Sequence, residues 1–111
     1  MSTNNTQLAL AADPAFRLRF KGLLLQITGQ ILDEAAGTAG HTQRAVYARL
    51  VQTNIDTYVT ILIQWFVMRT NLFGANTTVS IATGVPVVTT DATDAAILSQ
   101  IATDWTEIAG A

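Results

Sequence analysis

The 111-residue chain contains no cysteine. Disulfides, thiolate chemistry and cysteine-based zinc sites are therefore excluded, and the redox compartment leaves no trace. Histidine occurs once, at His41, which removes HExxH and paired-histidine metal spacings. Neither a GxGxxG nor a Walker-type glycine loop is present. Charge is scarce as well: 13% of residues are Asp, Glu, Lys or Arg, against roughly 25% in an ordinary soluble domain. Long hydrophobic runs are missing too. The longest charge-free apolar run, Tyr58 to Met68, contains Thr60 and Gln64 and covers about half of the ~20 residues a bilayer crossing requires. The start, MSTNNTQLALAADP, has no basic segment before its apolar patch and does not read as a signal peptide.

What is present is apolar. Hydrophobic residues make up 50% of the chain, and its length suits one domain with a single core. Low charge beside high apolar content suggests that partners cover much of the surface. The net charge of −2 is unevenly placed. All basic residues lie at or before Arg69, while Asp91, Asp94, Asp104 and Glu107 follow unopposed. Solvation alone accounts for so small a split. The sharper expectation is head-to-tail contact between copies, one acidic end lying near another's Arg17, Arg19 and Lys21.

The pattern predicts a mainly α fold. A small four-helix bundle-like domain carries an extended arm or short β-hairpin between its third and fourth helices. Residues 1–13 read as a mobile or partner-ordered segment, and 14–111 as one helical domain with an interaction arm at about 71–90. The first helix begins at Asp13-Pro14, because aspartate caps free amides and proline suits the first helical position. It ends before Gly37, a residue suited to a left-handed cap. At 100° per residue, Phe16, Phe20, Leu23, Leu24, Ile27 and Ile31 share one face. Leu18, Gly22, Leu25, Gly29 and Leu32 share the opposite one, at heptad spacing. Arg17, Lys21 and Thr28 fill one lane between them; Arg19, Gln26, Gln30 and Asp33 fill the other. A small monomer needs one apolar face on such a helix. This helix has two.

A second helix at about 42–52 places Val46 and Leu50 on one stripe, with Tyr47 and Val51 beside it. The third, about 55–70, is apolar nearly all round, the usual pattern of a central bundle helix. Residues 71–90 hold Gly74, Gly84, Pro86 and many β-branched side chains. Thr78 to Ile81 and Val85 to Val88 pair as a hairpin about Ala82-Thr83-Gly84, or the stretch is an arm completed by another subunit. A last helix, about 92–109, has an acidic first turn and a stripe of Ile97, Leu98, Ile101, Trp105 and Ile108.

Chemistry finds little footing. His41 reads as a turn residue before the second helix. Asp33 and Glu34 point about 100° apart and read as a solvated helix end. Gly22 and Gly29 each cost about 1 kcal/mol relative to alanine within a helix, so close approach by another backbone should offset them. That backbone belongs either to this chain or to another subunit. Arg17, Arg19 and Lys21 project in different directions, unlike the concentrated positive face that phosphate binding uses. Trp65 and Trp105 read as core anchors.

Three stretches, LAADPAFRLRF, DEAAGTAGHTQRAVYARLV and TDATDAAILSQIATDWTEIAGA, resemble a family of small virion-associated proteins of tailed bacteriophages. The resemblance covers about half the chain and rests on helix starts and ends. It implies a non-enzymatic structural component of the capsid or head–tail region, such as a shell decoration, a head-tail connector or a tail part. Localisation would be the virion, after assembly in the host cytoplasm. It transfers no functional site.

The leading expectation is therefore a virion protein assembling in many copies. Its subunit interface would comprise Leu18, Gly22, Leu25, Gly29 and Leu32 of the first helix with Val79, Ile81, Val85 and Val87 of the arm. Partners would be copies of itself and other virion proteins. No catalytic, cofactor or metal residue, nucleic acid, membrane or small-molecule substrate is expected. The alternative is a monomeric helical adaptor or regulatory module for one heterologous protein. A small hydrolase or lysis-related membrane protein is the third reading.

Overall fold

The computed structural model describes residues 9–37, 43–70, 78–81 and 83–109. The fold is mainly helical with one small antiparallel hairpin. Helix α1 spans Pro14–Ala35, α2 Gln43–Thr53 and α3 Ile55–Thr70; strands β1 (Thr78–Ser80) and β2 (Val87–Thr89) follow, then α4 (Asp94–Ala109). His41, residues 71–77 of the arm and Gly110 lie outside the described residues.

A helical turn at 9–12 precedes α1, and its Ala9, Leu10 and Ala11 are buried, Leu10 at 0% exposure. The boundary expected at residue 13 therefore moves: residues 9–13 belong to the domain. The turn hands directly to α1, since the Asp13 N–H donates to the Ala9 carbonyl and the Arg17 N–H to the Asp13 carbonyl, both at 2.9 Å. Asp13 holds the N-cap position in extended backbone, but its buried side chain makes no capping hydrogen bond. At the other end the Ala36 N–H closes on the Asp33 carbonyl at 3.3 Å with right-handed backbone. Gly37 is not left-handed, contrary to expectation.

The α1 face of Phe16, Phe20, Leu24, Ile27 and Ile31 is the core. Phe20 meets Phe66 of α3 edge-on at 5.2 Å, a geometry worth about 0.5–1.5 kcal/mol beyond area burial. Helix α1 packs against α2, α3 and α4. It, not α3, is the central helix. Helix α3 buries Val59, Leu62, Ile63, Phe66 and Val67 yet leaves Ile61 and Met68 largely exposed. An all-round apolar helix thus sits here on the outside.

Helices α2 and α3 form one run antiparallel to α1, as the pairs Glu34–Arg44 and Lys21–Asp56 require. Backbone hydrogen bonds continue through Asn54, whose N–H reaches Leu50 and whose carbonyl takes the Tyr58 N–H. The run is bent there. Tyr47 and Tyr58 would have Cα atoms about 16 Å apart in a straight helix, yet their rings lie 6.2 Å apart. Trp105 of α4 fills the elbow, edge-on to Tyr47 at 4.9 Å. Burial and the neighbouring Tyr58 raise the Tyr47 phenol above its ordinary value.

The α2 stripe differs from expectation. Ala45, Ala48 and Val51 are buried, while Val46 and Leu50 face outward. Small alanines let α2 approach α1 closely, and Thr28 of α1, expected in a polar lane, is fully buried with its hydroxyl donating to the Leu25 carbonyl at 3.0 Å. Close approach therefore occurs at α2's alanines, not at α1's glycines.

Of hairpin and arm, the chain forms the hairpin. Val79 faces Val88, Thr78 faces Thr89 and Ser80 faces Val87. The second strand begins at Val87, two residues later than expected, and the turn closes by the Gly84 N–H on the Ile81 carbonyl at 3.2 Å. Gly84 has φ 80°, a conformation glycine adopts without steric cost. Val88 packs against the core, anchoring the hairpin's base. Thr93 then caps α4, its hydroxyl accepting the Ala96 N–H at 3.2 Å.

If the α1–α2 contact depends on small residues, Ala48→Leu should destabilise by about 1–3 kcal/mol through overpacking. Leu50→Ser on the outer side should stay within about 0.5 kcal/mol. Urea denaturation of the two variants checks this; equal midpoints would remove the claim.

Candidate functional site

The outer flank of α1 lies opposite its core face, but its ends stand beside other helices: Leu32 packs against the core and borders α2, and Leu18 borders α3. Leu18 is 73% exposed and Gly22 is exposed, while Leu25, Gly29 and Leu32 are half-buried. A Cβ added at Gly22 or Gly29 would meet nothing within 4 Å. No described element of this chain occupies the glycine groove, so the intramolecular explanation for the two glycines fails. Among the described residues, the helix bears their cost without a contact in return.

The other expected interface residues are also open. Val79, Ile81, Val85 and Val87 of the hairpin are all exposed. Sequence reasoning missed four more: Val46 and Leu50 of α2, and Ile61 and Met68 of α3. Single exposed apolar side chains are ordinary; their distribution is informative. Helix α4 presents Ala95, Ser99, Thr103, Thr106 and Glu107 outward and, among the described residues, no large exposed hydrophobic. The molecule therefore has one polar side and several apolar ones.

Two shallow grooves flank α1 on this outer side. One, of about 450 Å³, lies between Leu18 and Lys21 of α1 and Asp56 and Val59 of α3. The other, of about 320 Å³, lies between Leu32 and Ala36 and Val46 and Arg49 of α2.

Four basic side chains, Arg17, Arg19, Lys21 and Arg44, have partners inside the chain. Arg17 Nη1 donates to the Ala11 carbonyl at 2.6 Å and to the Thr60 hydroxyl. Arg19 Nε lies 2.6 Å from Asp94, and its Nη2 donates to the Ala92 carbonyl, pinning the start of α4. Lys21 donates to Asp56 at 2.7 Å, and that hydrogen bond and charge lower the Asp56 pKa. Arg44 stands 3.6 Å from Glu34. The expected head-to-tail pairing of these cations with another copy's acidic end loses its basis: Asp94 already meets Arg19 within one chain. Nor do they make a continuous positive face for nucleic acid.

Among the described residues no cluster of three His, Cys, Asp or Glu side chains is placed to hold a metal ion. No described helix is long and apolar enough to cross a membrane. Asp33 is exposed at the helix end. One buried carboxylate escaped the sequence reading. Asp104 is 2% exposed, accepts from Gln100 Nε2 at 3.0 Å and lies beside Leu24, Leu62, Phe66, Ile101 and Trp105. The signal was its place between Ile101 and Ile108 on the buried stripe. The arrangement has the chemistry of adhesion: apolar area, open backbone at two glycines, and a strand edge.

Comparison with protein-family models, curated proteins and solved structures finds no match.

Because the glycine groove is empty within one chain, Gly22→Ala should raise the stability of the isolated subunit by up to about 1 kcal/mol. Thermal unfolding at low concentration checks this; a loss would mean that something of the chain itself needs the space. A second expectation concerns acid. The folded Asp56 has a lowered pKa, so its contribution is present above the unfolded value and is lost as pH falls towards the folded one. Asp56→Asn should flatten the stability profile below about pH 4, measured by denaturant midpoint against pH.

Proposed function

We propose that this chain is a non-enzymatic structural protein of a bacteriophage virion, assembling in multiple copies in the capsid or head–tail region. The resemblance of its helix starts and ends to small virion-associated proteins supplies the setting. The observation that carries the assembly is the outer flank of α1: leucines and unfilled glycines on a helix whose other flank already makes the core. Apolar side chains on α2, α3 and the hairpin extend that surface, whereas α4 remains polar. Such an asymmetry fits a subunit with neighbours on several sides and water on one.

Burial of this surface is the driving term, at roughly 25 cal/mol per Å² of apolar area. The hairpin adds a second device. Its two short strands pair with each other, and among the described residues no third strand lies on their outer edges, whose main-chain groups can accept another strand. Charge adds little to the driving energy, since Arg17, Arg19, Lys21 and Arg44 already have partners within the chain, so its part is in register.

The purified chain should form discrete multimers at micromolar concentration, read by size exclusion with light scattering. Leu18→Glu should shift the distribution towards monomer while leaving the unfolding midpoint of the subunit nearly unchanged. A wild-type chain that stays monomeric at high concentration and never joins a particle would overturn the reading. One-to-one capture of a heterologous protein by that monomer would favour the adaptor instead.

A further inference from the structure

We infer that the outer flank of α1 binds the same flank of a second copy, with the two helices antiparallel about a two-fold axis. The inference rests on the self-assembly proposed above and specifies its partner and geometry.

The flank consists of two adjacent columns. One is small: Ala15, Gly22, Gly29 and Ala36. The other is large: Leu18, Leu25 and Leu32. Ala15, Gly22 and Ala36 are exposed, and the space over both glycines is open. Both columns repeat every seven residues, the repeat that keeps a seam facing a partner helix in a left-handed pair. A parallel pair would stack glycine on glycine and leucine on leucine, alternating voids with crowding. Reversing one helix lays each large column against the other copy's small column. Leu18 then meets Ala36 of the second copy, Leu25 meets its Gly29 and Leu32 meets its Gly22. Every layer pairs a large residue with a small one, which fills space at native density.

The flanking charges select this register. Arg19, Gln26 and Asp33 form one lane beside the small column. In the pairing described, Arg19 faces Asp33 of the second copy, Gln26 faces Gln26 across the axis, and Asp33 faces Arg19. Sliding by one heptad would set Arg19 against Gln26 and leave Asp33 opposite Ala12. Asp33 is exposed, and its side chain has no partner among the described residues. Arg19 directs Nε and Nη2 to the start of α4 and keeps Nη1 without a partner among the described residues. Among the described residues, no helix or strand lies over the Leu18, Gly22, Leu25 and Gly29 part of this flank. Residues Arg17 and Lys21 turn towards α3, Arg19 turns towards α4, and the flank lies between them on the far side from the core. Because one patch meets itself, the contact is isologous and closes on two copies. Further growth of an assembly would then run through the hairpin or the outer sides of α2 and α3.

The absence of cysteine makes single-cysteine variants clean probes. Gln26→Cys, Leu18→Cys and Ala36→Cys are treated with a short bismaleimide, and native mass is measured in parallel. The antiparallel pair predicts that Gln26→Cys cross-links to itself. Leu18→Cys does not, its two copies standing about 27 Å apart along the axis, but it does cross-link when mixed with Ala36→Cys. Gly29→Leu should raise the dimer dissociation constant at least about tenfold with helical content unchanged. Self-cross-linking of Leu18→Cys would mean a parallel pair and would overturn the inference. Multimers with Gln26→Cys unreactive would do the same while leaving self-assembly standing. A monomer throughout would remove both.

Discussion

The structure depends on how its partners are disposed around α1. Helix α3 touches it on the side of Arg17 and Lys21, and α4 on the side of Arg19. At 100° per residue these directions are about 160° (Arg17) to 200° (Lys21) apart through the core, leaving an arc of about half of α1's circumference on the outer side. In most small bundles that arc would carry charge. Here it carries leucine, glycine and alanine, so the constraint of three packed rods exposes apolar surface by construction.

The ion pairs follow from the same arrangement. With few charges available, each basic residue of α1 fixes one neighbour: Arg17 the preceding turn and α3, Lys21 the start of α3, Arg19 the start of α4. Lys21–Asp56 and Arg19–Asp94 are partly exposed, and such pairs contribute little stability. Their value is positional. They set the register of two helices against a third, and the Phe20–Phe66 contact and its aliphatic surroundings then supply the energy. Arg19 matters most in this respect, because the hairpin returns to the bundle just ahead of the residues it holds.

How much of this could be read from the residues varied with how burial is achieved. Helix α1 was legible because large side chains carry its core face at a clean period, and Asp13-Pro14 marks its start. Helix α2 was not. Its burial rests on Ala45 and Ala48, which periodicity of large residues does not register, so Val46 and Leu50 drew the stripe to the wrong side. Helix α3 misled for the opposite reason: an apolar surround arises from central burial or from outward-facing apolar residues, and the pattern is identical. The hairpin was visible in its β-branched residues and Gly84, although two residues at the start of its second strand belong to the turn. The outer flank of α1 and the open valines of the hairpin could be read because their spacing left them surplus to one core. Asp104 was missed because a carboxylate on a buried stripe reads as a solvated interruption, whereas Gln100 beside it supplies a hydrogen bond that helps it stay inside.

The glycines make the energetic argument sharpest. Two of them within α1 forgo about 2 kcal/mol of helix stability relative to alanine, a large share of the 5–15 kcal/mol typical of a domain. Among the described residues nothing recovers that loss, since the space above both is open. Leucines beside them add an exposed surface that favours nonspecific clustering. Both costs vanish together if another helix lies in the groove, where missing side chains permit backbone proximity and the leucines become buried. A flank that is unfavourable twice in isolation and favourable twice on contact supports the self-assembly proposed above. Under the proposed assembly, the polar outer side of α4 is the side left facing water.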